Sequence, residues 1–464
     1  MKKNFRFYIA LYVAKIARFT LKMLHKNASN FPGKLAIKIC PDFLGRIGKP
    51  KTIIAVTGTN GKTTVCNMIE NTLRYNKYDF IDNNLGSNTN SGIASTLVMG
   101  TNLLGRAKKE LAVFEIDERS AVKIYQYLTP TYLVCTNLFR DSIMRNAHTE
   151  FIANILDKNI PKDTKLILNG DDLIVSNLAI NNKRAYFGID RIDTDKDSCE
   201  NIVRDIIVCP KCDAKLEYDF VRYNHIGRAH CPDCDFKSPE IDYEVTKIDF
   251  KEMKLTLKFN GELEEYDLIS NNIINIYNML ATIAVLKEFG LKQEQINEAL
   301  KNQKIVETRF SKENVEGIEV VTHLAKGLNP IACSRAIDYV KNETGNKAVI
   351  LILDDLHIAK ESSENITWQY ETDYELLNDD SIKQVLIAGP RYLDNKLRLL
   401  IAGIPNDKII AEQDELEFID KLNLEGIDKV FILHDLYALD ETAKIREKVE
   451  NMIKRYKEQK EVKE

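Results

Sequence analysis

The stretch IIAVTGTNGKTT, residues 53–64, joins a β-rich apolar run to a glycine loop and then to a helical pattern. Backbone N–H groups at a helix start, aided by the helix dipole, attract phosphate. Gly58 and Gly61 let the chain approach such an anion closely, and Thr59, Asn60 and Thr64 complete the loop. Lys62 is placed to reach terminal phosphates, and Thr63 to hold Mg²⁺. The loop differs from the common G-x-x-x-x-G-K-[ST] form, because Val56 stands where the first glycine would be. Mg²⁺ also needs oxygen ligands from elsewhere. Glu115 closes the apolar run LAVFE, and Asp117 and Glu118 follow in the turn; the segment TNLFRDS likewise puts Asn137 and Asp141 after a strand. One such acid is normally a solvated turn residue; several near a phosphate loop become candidate metal contacts, Glu115 first.

A second constellation is made of thiols. Cys209 and Cys212, then Cys231 and Cys234, give the spacing C-x2-C-x18-C-x2-C. Two knuckles of this kind place four thiolates around one Zn²⁺. Four protein ligands fill a tetrahedral sphere, so the expected metal is structural. No dense Lys/Arg stripe surrounds the pairs, which speaks against nucleic acid as a partner. With no secretion signal in view, the thiols point to a reducing, cytoplasmic setting.

The elements that must carry these residues are readable from periodicity. Apolar runs at 53–57, 111–116, 131–138 and 165–172 predict buried strands, and TTVCNMIENTLRYN predicts the helix after the loop. Strands alternating with helical stretches predict a largely parallel α/β sheet. The pattern breaks between about 199 and 242, around the cysteines, which predicts an insertion. Helical periodicity resumes in NIINIYNMLATIAVLKEFG, with Gly290 as its C-cap. A second α/β unit follows from about 311, with strands IEVVTHL, KAVILIL, KQVLIAG and KVFILHD. The expected division is 1–48, 49–310 and 311–464. At the start, NFRFYIALYVAKIARFTLKML mixes bases with large apolar residues. It predicts an amphipathic helix packed on its own domain, with affinity for an anionic membrane surface as the alternative.

The motifs GTNGKTT, FEIDE, TNLFRD, NIYN and TRF occur in that order. In this the chain resembles the ATP-dependent Mur ligases of cell-wall peptide synthesis, in which ATP phosphorylates a substrate carboxylate and an amine attacks the acyl phosphate. The resemblance implies that Lys62 and Thr63 handle the triphosphate and Mg²⁺, with Glu115 as a second Mg²⁺ contact. It also implies that Asn275 meets the adenine, with Asn278 supporting its helix, and that Arg309 reaches the ATP. The cysteine ribbon, NNLGSNTNSGIAS and HLAKGLNP narrow the resemblance to the MurT branch, over nearly the whole chain. Members of that branch lack the N-terminal substrate domain of ordinary Mur ligases, and the phosphate loop within about 60 residues of the start fits that expectation.

The MurT branch pairs with GatD, a glutamine amidotransferase, and amidates the α-carboxylate of D-glutamate in lipid II. Its C-terminal domain supplies an aspartate, three residues before a Trp, that orients the GatD histidine. Here the only Trp is Trp368, and Asn365 stands at that offset. Asparagine can accept a hydrogen bond from imidazole but brings no charge to stabilise imidazolium. Glu364 and Asp355 are the acidic alternatives, and a merely divergent polar loop is the bland one. The resemblance thus implies ATP, Mg²⁺ and structural Zn²⁺ as cofactors, with a GatD-like subunit and lipid II as partners. Two rival readings are a stand-alone Mur-type amino-acid ligase and a non-catalytic nucleotide-binding scaffold. Composition agrees with a globular protein: 464 residues, 44% hydrophobic, 29% charged, net charge −4.

The paired cysteine spacing generates the first prediction. Metal analysis of the purified chain should find about one zinc per chain, and Cys212→Ser should lower stability rather than selectively abolish turnover. A metal-free quadruple serine variant that melts like the wild type would contradict it. Lys62→Ala is expected, from the sequence, to remove ATP-driven activity and spare folding.

Overall fold

The computed structural model describes residues 1–84, 87–141, 148–303, 310–325, 327–353, 366–389, 391–414, 416–435 and 438–461. The chain forms two compact units. The first comprises 1–139, 149–200 and 204–305, and the second 140–148, 201–203 and 306–464.

Among the described residues, the first unit has eleven strands: β1 (Thr52–Thr57), β2 (Phe80–Asp82), β3 (Leu111–Glu115), β4 (Tyr132–Cys135), β5 (Lys165–Asn169), β6 (Arg184–Ile189), β7 (Glu217–Tyr223), β8 (Ile226–His230), β9 (Tyr243–Asp249), β10 (Lys254–Phe259) and β11 (Glu262–Asp267). Nine of them make one sheet, in the order β11-β10-β9-β6-β5-β4-β1-β3-β2. From β2 to β9 every pairing is parallel, as the continuous apolar runs require of strands covered on both faces. The antiparallel strands β10 and β11 extend the edge. They turn at Asn260 and Gly261, both at positive φ (50° and 82°). Strands β9–β11 are absent from the sequence-based expectation, which resumes only with the helix at 272–290. Strands β7 and β8 pair with each other as a separate hairpin.

The second unit contains β12 (Phe310–Val315), β13 (Ile318–Leu324), β14 (Lys347–Ile352), β15 (Ile382–Ile387), β16 (Ile409–Ala411) and β17 (Lys429–His434), in the order β12-β13-β17-β14-β15-β16. Among the described strands of this unit, only β12 is antiparallel to its neighbour. The four apolar runs expected in this half are β13, β14, β15 and β17.

The N-terminal residues join the first unit's core. The helix Phe5–Met23 starts on Asn4, whose side chain accepts from Phe7 N at 2.9 Å. It buries Phe7, Ala10, Leu11 and Ala14, and Phe7 stacks on Phe43 with 5.3 Å between ring centroids. The next helix, Phe31–Ile39, crosses the helix Asn90–Met99 at Gly33. There Gly33 N donates to Ser95 Oγ at 2.7 Å. A Cβ on Gly33 would lie 1.9 Å from Ser91 O, so the two backbones can meet only because position 33 has no side chain. Gly33→Ala should therefore force the helices apart and destabilise the chain by about 2 kcal/mol or more, as overpacked sites do. Thermal melting followed by circular dichroism would measure this, and an unchanged midpoint would contradict the close-approach argument.

Candidate functional site

Strand order reverses at β1: β3 and β2 lie on one side, and β4, β5 and β6 on the other. Crevices at such switch points, beyond the carboxyl ends of the strands, are where α/β sheets bind ligands. The glycine loop leaves β1 there and becomes the helix Lys62–Tyr75. Both glycines are required. Gly58 has φ 126°, and a Cβ on it would meet Thr136 Oγ1 at 2.2 Å. Gly61 has φ 87°, and its Cβ would meet Asn278 Oδ1 at 2.2 Å. No side chain caps this helix, so its first amides have no intrahelical acceptor and are available to an anion.

The loop is clamped from β4. Asn60 N donates to Asn137 Oδ1 (3.0 Å), while Asn137 Nδ2 and Thr136 Oγ1 donate to Asn60 O at 3.0 and 2.6 Å. Thr59 N donates to Asn137 O (2.8 Å), and the Thr59 hydroxyl bridges the Phe139 backbone. This is a rigid cradle built from the TNLF segment. The helix Ile273–Phe289 closes it from another direction through Asn278, which is buried against Gly61. Asn275 lies in the first turn of that helix, half-buried, with Nδ2 3.3 Å from Ser270 Oγ.

Two acids adjoin the loop, Glu118 in an ion pair and Glu115 in hydrogen bonds from neutral groups. Lys62 Nζ sits 2.7 Å from Glu118 Oε1 and also donates to Gly58 O. The same Glu118 oxygen accepts from Gly58 N at 3.1 Å. The Glu118 side chain is 1% exposed and that of Lys62 12%, so the carboxylate is held by an ammonium and an amide in place of water. Beside them, Thr63 Oγ1 donates to Glu115 Oε2 (2.8 Å) and Asn88 Nδ2 donates to Glu115 Oε1 (3.0 Å). The Glu115 backbone is paired in both directions with the Asn83 side chain. Thr63 and Glu115 face a polar cavity of about 140 Å³, also lined by Asn67, Glu70, Asn84 and Asn88. Burial there, with the charge of Asp82 adding, lifts the Glu70 carboxyl to about 7 despite the Arg74 guanidinium 3.0 Å away. Oxygen donors and a hydroxyl in one polar cavity suit a hard cation such as Mg²⁺.

The cysteines converge as their spacing predicts. Their four sulfurs lie within 4.8 Å of one another, with Cys209–Cys234 at 3.5 Å and Cys212–Cys231 at 3.4 Å. Sulfurs bound to one Zn²⁺ at about 2.3 Å would stand roughly 3.8 Å apart, so the set fits zinc. The hairpin β7–β8 joins the two knuckles and is rooted in the main sheet at the end of β5. There the fully buried Asp171 accepts from Tyr277 Oη (2.7 Å) and pairs with Arg222 (3.4 Å) and Arg228 (3.3 Å), while Arg222 reaches Asp195 at 2.6 Å.

Gly58, Thr59, Asn60, Gly61, Lys62, Thr63 and Thr64 thus form one loop, with Glu115 hydrogen-bonded to it and Asn278 packed upon it. Asp141 falls in the second unit, where Asn329 Nδ2 donates to its Oδ1 at 2.9 Å. Arg309, Asp355, Glu364 and Asn365 lie outside the described residues. Trp368, just after them, is buried in the second unit's core. Glu118 is the residue that sequence reasoning passed over as a turn acid. Its signal was present in FEIDE, three residues after Glu115.

Comparison with known proteins agrees with this architecture. The family profile of the Mur ligase middle domain matches residues 56–286, and that of the MurT ligase C-terminal domain matches 324–439. The chain is 32% identical over 412 residues to the lipid II isoglutaminyl synthase (glutamine-hydrolyzing) subunit MurT of Staphylococcus aureus (strain COL), covering 88% of this chain and 91% of that one. It is 28% identical to the corresponding subunit of Streptococcus pneumoniae (strain ATCC BAA-255 / R6), covering 94% and 96%. A pseudomurein peptide ligase type C from Methanothermus fervidus shares the fold, with TM-score 0.63 at 22% identity over 88% of this chain and 81% of that one.

The Lys62–Glu118 pair changes the expectation that Lys62→Ala spares folding. Removing the ammonium strands a buried carboxylate, which should destabilise the first unit by roughly 3 kcal/mol. The double variant Lys62→Met/Glu118→Gln removes both charges and should recover most of that loss in a denaturant melt. If the single and double variants melt alike, the pair does not carry the stability assigned to it.

Proposed function

The chain belongs to the Mur ligase family, in its MurT branch, and from this premise we propose that it is the synthetase subunit that amidates lipid II with ATP. The carboxylate activated is the α-carboxylate of D-glutamate in the stem peptide. A carboxylate oxygen attacks the γ-phosphorus of ATP, ADP leaves, and an acyl phosphate forms. Ammonia then attacks the acyl carbon, phosphate departs with the oxygen it received, and loss of a proton leaves D-isoglutamine. The observation that supports this best is the pairing of a glycine-loop lysine and threonine with two acids at the switch point of the sheet.

Each residue has a role in this reading. Gly58, Thr59 and Asn60 shape the loop, while the amides of Gly61, Lys62, Thr63 and Thr64 and the Lys62 ammonium hold the phosphates and stabilise charge on the phosphoryl group in transit. Glu118 positions Lys62. Thr63 and Glu115 hold Mg²⁺, which when bound neutralises the phosphate oxygens. Asn275 meets the adenine, and Arg309 is assigned to the ATP as well. Cys209, Cys212, Cys231 and Cys234 hold a structural Zn²⁺ that takes no part in the reaction. Residues 49–310 form the ATP-binding domain and 311–464 the domain that meets the partner. The ammonia comes from a GatD-like glutaminase, whose catalytic imidazole takes a side-chain acceptor from Asn365 or Glu364, with Asp355 next in order. The setting is the cytoplasmic side of the membrane that carries lipid II.

The test supplies ammonium directly, so that no glutaminase is needed. Purified chain, ATP, Mg²⁺ and lipid II should yield precursor amidated at D-glutamate, detected by mass. Lys62→Met/Glu118→Gln, folded by the criterion above, should lower the rate on the order of a hundredfold or more. Incorporation of an amino acid instead of ammonia, or normal turnover in the double variant, would contradict the proposal.

A further inference from the structure

The N-terminal helix Phe5–Met23 has two apolar faces. Phe7, Ala10, Leu11 and Ala14 enter the core. Phe5, Ile9, Tyr12, Ile16, Phe19 and Met23 stay exposed, Ile9 least at 41% and Phe5 most at 81%. At about 100° per residue these six fall within an arc of roughly 80°, opposite the buried four. A helix that is apolar on both sides normally has both sides covered. The exposed patch continues onto a neighbouring loop tip. Leu103 and Leu104 are 65% and 51% exposed, and Lys3 Nζ donates to Leu104 O (2.8 Å) and Gly105 O (2.9 Å).

Charge says what covers it. Residues 1–41 hold nine bases and no acid; with −4 for the whole chain, the remainder carries −13. Lys2, Arg6, Lys22 and Lys26 are exposed on the helix and its ends, and Arg106 and Lys108 on the adjoining loop. The bases crowd one another: after burial, the charge of Arg106 pushes the Lys3 ammonium down, and those of Lys108 and Arg18 do the same to Lys15. A second copy docking through the same face would bring this basic rim against itself. A spanning role is excluded for this helix, because its other face is committed to the core and it is not apolar enough to cross a membrane.

We propose that this face is a membrane-docking surface, lying in the interface of an anionic bilayer with the apolar row at the acyl boundary and the bases at the phosphate headgroups. Interfacial helices bind by this combination of buried apolar area and attraction to anionic lipid. The inference goes beyond the amidation reading and does not depend on it, since binding to vesicles needs neither ATP nor precursor.

Flotation of the full chain with lipid vesicles tests it. Phosphatidylglycerol vesicles should carry the chain upward, and phosphatidylcholine vesicles should not. Ile16→Ser/Phe19→Ser and Lys22→Glu/Lys26→Glu should each weaken binding to phosphatidylglycerol at least about tenfold. Both alter exposed side chains, so their melting curves should match the wild type. Equal binding to both lipids, or undiminished binding by both variants, would overturn the proposal. So would failure to float accompanied by self-association that Ile16→Ser/Phe19→Ser abolishes.

Discussion

The ion pair between Lys62 and Glu118 is the interaction around which the first unit is organised. A carboxylate with 1% of its side chain exposed must find its partners inside the protein. It finds them in the Lys62 ammonium and the Gly58 amide, so the loop's shape and the acid's position depend on each other. The surrounding elements maintain that geometry. β1 and β3 run parallel and in register, delivering the loop and the acids to the same edge. The segment after β4 clamps Asn60. The helix Ile273–Phe289 fills the space above Gly61 with Asn278. Residues more than 200 positions apart thus meet on one glycine, and a side chain on Gly61 would displace the helix that closes the site.

The cysteine insertion follows a related logic on a smaller scale. Its apolar cluster consists of Leu216, Ala229, Phe236 and two of the cysteines, with Leu173 from the main body of the unit. So few residues cannot hold a fold by burial alone, which is why a metal joining two knuckles makes physical sense there. The hairpin's attachment is polar instead. Asp171 sits at the end of β5 and gathers Arg222, Arg228 and Tyr277. The insertion, β5 and the long helix are therefore tied by one buried network, which gives the ribbon a fixed seat on the ATP-binding body.

Much of this was legible in sequence because burial imposes simple patterns. Doubly covered parallel strands must be continuous apolar runs, and β1, β3, β4 and β5 are. A cradle for phosphate must use glycine where φ is positive, as at Gly58 and Gly61. Strands β9–β11 escaped because the last two, at the sheet's edge, mix polar residues into a short pattern, although the Asn260-Gly261 dipeptide marked their hairpin. Glu118 escaped for a different reason. Three acids lie at the end of β3 and in the turn after it, and sequence cannot say which one points inward. Asp117 caps the turn, accepting from Arg119 N and Ser120 N, Glu115 faces Thr63, and Glu118 is directed at the lysine. The N-terminal helix packs on its own domain as its amphipathic pattern predicts, burying Phe7, Ala10, Leu11 and Ala14.

The central claim is that this site transfers phosphate from ATP to a carboxylate, which ammonia then displaces. Labelling the stem-peptide carboxylate with heavy oxygen tests that step most directly. During amidation the account predicts that a labelled oxygen appears in inorganic phosphate for each amide formed, because the oxygen that attacked phosphorus leaves with it. Phosphate free of label, while amide accumulates, would show that the carboxylate is never phosphorylated and would contradict the account.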